Sequence, residues 1–289
     1  MPWLSQYVLL FEFAIDLLMY VSEQVPGDPS RIFWCPTGPL AFLPIHAAGF
    51  YDRQCSEPGH KVFDFVVSSY IPTLSILLGS SNPYAASTTG HLRLLVIRQP
   101  PSDGHGQLPG VAIELGRIKE VVMNSPRAFA TLLETSVGTV EEVSDLMKQA
   151  DWVHFACHGV QDGLNSGLCL ANKRSLTLRE IAALSRPRGG LAFLSACQTA
   201  KGEKVLSDEA IHIAAGMLFA GYGGVIGTMW SISDRLAPDV ARDVYAHLFG
   251  KGARPDYRDA ARALHDAIEG LRDRGVSFDE WIPFIHVRL

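Results

Sequence analysis

The sequence predicts an α/β protein built around a mainly parallel sheet. Three observations carry that expectation. Short apolar runs without polar alternation recur at 91–97 (HLRLLVI), 152–156 (WVHFA), 190–196 (GLAFLSA) and 223–229 (GGVIGTM), as strands buried on both faces require. Segments of helical period separate most of these runs, the spacing of parallel strands joined by helical crossovers. The 289 residues are 47% hydrophobic and 19% charged, which supplies a sizeable core.

In chain order, residues 3–21 (WLSQYVLLFEFAIDLLMYV) read as a packed helix, or as one docking on a further N-terminal module. Glu12 and Asp16 oppose a transmembrane span. An early basic residue and a small-residue cleavage site are both missing, which opposes a signal peptide. Residues 31–51 read as strand, turn, strand around Pro-Thr-Gly-Pro at 36–39, residues 62–70 as a further strand, and 80–90 and 99–110 as loops. Helices are expected over 111–123, with Val111, Leu115, Ile118 and Val122 as the apolar stripe, and over 140–150 and 177–184. Thr139 and Thr177 cap the latter two, each with a glutamate three residues on. The last helices are placed at 208–220, 239–249 and 258–272.

Net charge is −5 with no Lys/Arg run, so a nucleic-acid partner is not implied. Five cysteines at irregular spacing, with no CxxC pair, suggest neither a disulfide framework nor a zinc ribbon. Free thiols fit a reducing cytoplasm.

Two strand ends carry chemistry. VHFACHG ends in His158-Gly159, and LAFLSAC ends in Cys197. In open α/β sheets reactive groups gather at the carboxyl ends of strands. The separation of 39 residues leaves room for one helical crossover, so the two ends can be neighbours. A free thiol, with a pKa of about 8.5, is a weak nucleophile at neutral pH. An adjacent imidazole takes its proton and later returns it to the leaving amine. Backbone N–H groups of Gly159 and Cys197 are candidate oxyanion donors. Strand alternation turns Cys157 to the opposite face, so it reads as core; His154 reads as structural. A zinc site from His154, Cys157, His158 and Cys169 would need ligands that alternation separates.

These motifs resemble the CHAT family, a branch of the caspase-like (clan CD) cysteine peptidases with separase-like relatives. The resemblance rests on VHFACHG at 153–159, FLSACQT at 193–199 and DEAIHIAAGMLFAGYGGVIGTMWSISD at 208–234. Weaker matches are PTGPLAFLPIHAA at 36–48, SYIPTLSIL at 69–77, LPGVAIELGRI at 108–118 and DEWIPFIHV at 279–287. It implies a single domain over 1–289, with an N-terminal helix and strand region at 1–90 and a catalytic core at 91–289, folded as a caspase-like α/β/α sandwich. It implies an endopeptidase with a Cys197–His158 dyad, no cofactor or metal, and a protein or peptide substrate. It also implies a repeat-containing regulatory region or partner and no membrane span. Trp230, Ser231 and Asp234 take the substrate-binding positions. Ser231 stands where separase-like relatives carry an acid, which departs from a preference for arginine before the scissile bond. Asp234 either lines that pocket or caps the next helix. Asp208 and Glu209 either stabilise a helix start or face the cleft. The alternative function is a catalytically silent scaffold or interaction module.

Overall fold

The computed structural model describes residues 29–49, 51, 61–74, 91–98, 109–125, 130–135, 138–160, 166–171, 174–184, 190–198, 208–252 and 254–288. The expected helix at 3–21 and loop at 80–90 lie outside the described residues. Among the described residues ten strands form one sheet: β1 (Ser30–Trp34), β2 (Val66–Tyr70), β3 (Leu92–Arg98), β4 (Ala130–Thr135), β5 (Trp152–Val160), β6 (Gly167–Cys169), β7 (Ser175–Thr177), β8 (Leu191–Gln198), β9 (Gly224–Thr228) and β10 (Phe284–Arg288). Their order is β1-β2-β10-β9-β8-β5-β3-β4, and β6 pairs both with β5 and with β7. The run β9-β8-β5-β3-β4 is parallel throughout. β10 is antiparallel to β9 and parallel to β2, which is parallel to β1.

The apolar strands bury both faces because successive side chains feed opposite cores. Leu94 and Val96 of β3 enter one cluster, and Leu95 and Ile97 enter the other. The first cluster is closed by α2 (Pro109–Met123), α6 (Ala237–Gly250) and α7 (Ala260–Asp273), through Ile118, Val244, Tyr245 and Leu264 among others. The second is closed by α3 (Val140–Gln149), α4 (Leu178–Ala183) and α5 (Asp208–Phe219), through Val143, Met147, Ile181 and Met217. This is the α/β/α sandwich that the sequence predicts. Both expected caps form. Thr139 Oγ1 accepts the Glu142 N–H, and Thr177 with Glu180 makes a reciprocal capping box.

Two expected segments take a different form, and β4, β6 and β7 were not expected. After β1 the chain turns twice as 3-10 helix, at Gly38–Phe42 and Ile45–Ala47, where a second strand was expected. Pro39 and Pro44 offer no N–H to a ladder, and Gly38 adopts φ +58° to begin the turn. Residues 62–70 divide into a one-turn helix α1 (Val62–Phe65) and β2. Phe63 stacks on His265 at 4.0 Å and Asp64 pairs with Arg272 at 3.1 Å, so α7 holds that turn in place. A final short helix, α8 (Phe278–Trp281), leads into β10.

Candidate active site

β5 runs four residues past its expected end at 156, because β6 folds back along its last residues: Gly159 pairs with Leu168, and Val160 with Gly167. On its other edge β5 lies parallel to β8. The register sets Ala156 against Ser195, His158 against Cys197 and Gly159 against Gln198. Residues 39 apart in sequence thus become direct partners at the carboxyl ends of adjacent strands. The His158 side chain is buried, at 3% exposure. The Cys197 side chain lies outside the described residues, as do those of Asp208 and Glu209. Gly159 stands in the ladder on both sides, opposite Leu168 and Gln198.

The segment after β9 approaches from the strand next to β8. Trp230 is half-buried and packs against both apolar clusters, while Ser231 is exposed. Asp234 turns to the start of α2, where its carboxylate accepts the Gly110 N–H at 2.7 Å. A Cβ at position 110 would sit 2.1 Å from the Asp234 carbonyl oxygen, so this close approach requires glycine.

Cys157 is fully buried in the cluster under α3 and α5, while the His154 ring lies tilted against Phe193 of the opposite cluster, centroids 4.7 Å apart. The two potential zinc ligands therefore face opposite sides of the sheet. Cys169 is buried in β6 beside the Ser175 hydroxyl at 3.9 Å, and burial raises its thiol pKa.

The sequence reading missed one group of residues on the cluster shared by α2 and α6. The Glu114 side chain is 2% exposed. Its Oε1 lies 3.1 Å from His154 Nε2, and its Oε2 accepts the Ser195 hydroxyl at 3.1 Å. His154 Nδ1 lies 3.3 Å from the Tyr245 hydroxyl. Burial, and then the Glu114 charge, push the Tyr245 pKa well above its ordinary value. The signal was present: the buried stripe of α2 is Val111, Glu114, Ile118 and Val122, an acid at a core position.

The sheet order and its two helical layers make a caspase-like α/β sandwich. The CHAT domain model matches residues 6–287, and the chain belongs to the CHAT domain family. Among solved structures it is similar to the Arg-specific cysteine proteinase gingipain R, at TM-score 0.59 and 9% identity over 95% of this chain and 66% of that one. It is similar also to RgpB of Porphyromonas gingivalis, in a complex of its pro- and mature domains, at TM-score 0.58 and 9% identity over 95% and 68%. Separase of Saccharomyces cerevisiae, in its complex with securin, matches at TM-score 0.49 and 12% identity. That match covers 78% of this chain and 14% of the separase chain, so the present chain spans about one seventh of that protein's length. No curated protein matches the sequence.

Proposed function

We propose that this protein is a cysteine endopeptidase in which Cys197 is the nucleophile and His158 its general base and acid. The observation that carries the reading is the β5–β8 register, which sets His158 opposite Cys197 at the carboxyl end of the parallel sheet. In-register residues of parallel strands share a face, so thiol and imidazole would emerge side by side. The Cys197 thiol gives its proton to His158, and the sulfur forms a bond to the substrate carbonyl carbon. The Cys197 N–H receives the oxyanion, and the Gly159 N–H joins it only on release from its pairing with β6 and β8. Collapse breaks the C–N bond as His158 hands its proton to the leaving amine. Water then attacks the thioester, again deprotonated by His158, and the released thiolate regains that proton. The chain needs no cofactor for these steps. The substrate is a protein or peptide, the 230–234 segment lies near its reacting end, and a repeat-containing partner controls access. Among the described residues no helix is long and apolar enough to cross a membrane.

The test is cleavage of a diverse peptide library by wild type and by Cys197→Ala, with products read by mass spectrometry. Cleavage by wild type and its loss in the variant is the expected result. Cleavage by both would remove Cys197 from its role. Silence from both, with Cys197 alkylated no faster than Cys35, would favour the scaffold reading.

A further inference from the structure

The dyad reading leaves a buried carboxylate unexplained. Glu114 lies on α2, on the face packed against the sheet, and its contacts go to the two strands that carry His158 and Cys197. His154 lies on β5 four residues before His158, and Ser195 lies on β8 two residues before Cys197. Two strand residues span about 7 Å, so the Ser195 contact falls just behind the proposed nucleophile. One hydrogen-bond direction satisfies the whole group. The Tyr245 O–H donates to His154 Nδ1, His154 Nε2–H donates to Oε1, and the Ser195 O–H donates to Oε2. Buried polar groups persist only when partnered in this way, and a carboxylate is the costliest of them to bury. A core stripe that otherwise holds Val111, Ile118 and Val122 would be filled more simply by leucine.

A second contact fixes where that carboxylate stands. Gly110 is four residues before Glu114, one helical turn away on the same side of α2, and its N–H is held by Asp234. The first turn of α2 is thus pinned at one end to the segment after β9 and at the other to β5 and β8.

We infer that Glu114 is a positioning residue: its buried carboxylate ties β5 to β8 behind His158 and Cys197 and fixes the separation of the two strand ends. The inference rests on the peptidase reading for its consequence, and on the Glu114–His154–Ser195 contacts for its geometry. A tie of this kind acts on the placement of reacting groups and leaves ground-state substrate binding alone. A misplacement of 1 Å costs on the order of 100-fold in rate.

The experiment compares wild type, Glu114→Met, Glu114→Gln and Ser195→Ala. Glu114→Met, of similar length and without polar atoms, should lower kcat by about 100-fold with KM within about threefold. Glu114→Gln keeps both contacts, because its amide oxygen accepts from His154 and its NH2 donates to Ser195 Oγ. It should recover kcat to within about tenfold of wild type. Ser195→Ala loosens only the β8 side and guards against a Glu114→Met chain that fails to fold; about a tenfold fall in kcat is expected. Amide hydrogen exchange across 152–160 and 191–198 is read in parallel and requires no turnover. Faster exchange there in Ser195→Ala supports the tie even in a wild type that cuts nothing, a result that would count against the peptidase reading alone. Unchanged exchange in Ser195→Ala would overturn the tie, whether or not wild type cleaves.

Discussion

Asp234 shows how much a single side chain decides. Its sequence context offered a place in the substrate pocket or a cap on the next helix; the helix it holds is instead α2, whose first-turn Gly110 N–H its carboxylate accepts at 2.7 Å, while α6, the next helix, begins without a side-chain cap. A carboxylate at a helix start gains from the exposed N–H groups and the helix dipole. Asp234→Ala should therefore cost about 1 kcal/mol of stability and leave the residue preferred before the scissile bond unchanged. Denaturant unfolding and the library profile together check this; a shifted profile at unchanged stability would return Asp234 to the substrate pocket. At this scale legibility was uneven. That His158 and Cys197 stand at neighbouring strand ends was legible, because each follows an apolar run. Glu114 did not, because the expected stripe ran through Leu115, its neighbour, and a helical period alone does not choose between adjacent positions on one broad face. Ser195 and Tyr245 were hidden for another reason: their roles depend on a partner 81 or 91 residues away.

Among the elements, the 3-10 turn Ile45–Ala47 carries the clearest physical signature. His46 is buried, with Nδ1 2.8 Å from the Tyr70 hydroxyl on β2 and Nε2 2.9 Å from the Ile282 carbonyl. Neutral imidazole suits both contacts, and burial lowers its pKa from 6.5 to about 4. The unfolded chain takes up this proton below about pH 6.5, and the folded chain only near pH 4. The associated stability, about 3 kcal/mol, is therefore present above pH 6.5 and lost as pH falls toward 4. His286 on β10 is shifted in the same direction by burial, with the Arg31 and Arg288 charges adding to it. Thermal melts between pH 7.5 and 4.5 should show stability falling with acid, and His46→Gln should flatten that slope in part. A variant with the wild-type slope would acquit His46. The elements best read from sequence were those with local codes, such as the helix begun by Thr177 and Glu180. The 36–48 segment was misread because its apolar residues suggested a strand while its two prolines forbade a ladder. β4, β6 and β7 escaped notice because short strands of three to six residues carry little pattern of their own.

For the molecule as a whole, the alternation of strands and helices was legible and the strand order was not. Nothing local says that β10 inserts between β9 and β2. Ser69 and His286, in contact across that junction, lie 217 positions apart. Val287 pairs with Val225 on one side and with Tyr70 on the other, so it is a joint of the sheet. Val287→Pro removes a donor at that joint, leaves a buried acceptor unpaired and should cost about 1–3 kcal/mol. Hydrogen exchange should then show β1 and β2 losing protection before β5 and β8. Equal loss across all strands would mean that the sheet opens as one unit.

The same joint sets an order of events during synthesis. Strands β1 and β2 are made early, yet their seat against the parallel strands is built from residues 284–288. β5 and β8 can find each other once residue 198 has emerged from the ribosome, and the flanking pair must wait for nearly ninety residues more. For that interval a nascent chain would hold its strand ends in register on a sheet whose β8 edge, and then its β9 edge, is still unpaired, where other extended chains can add.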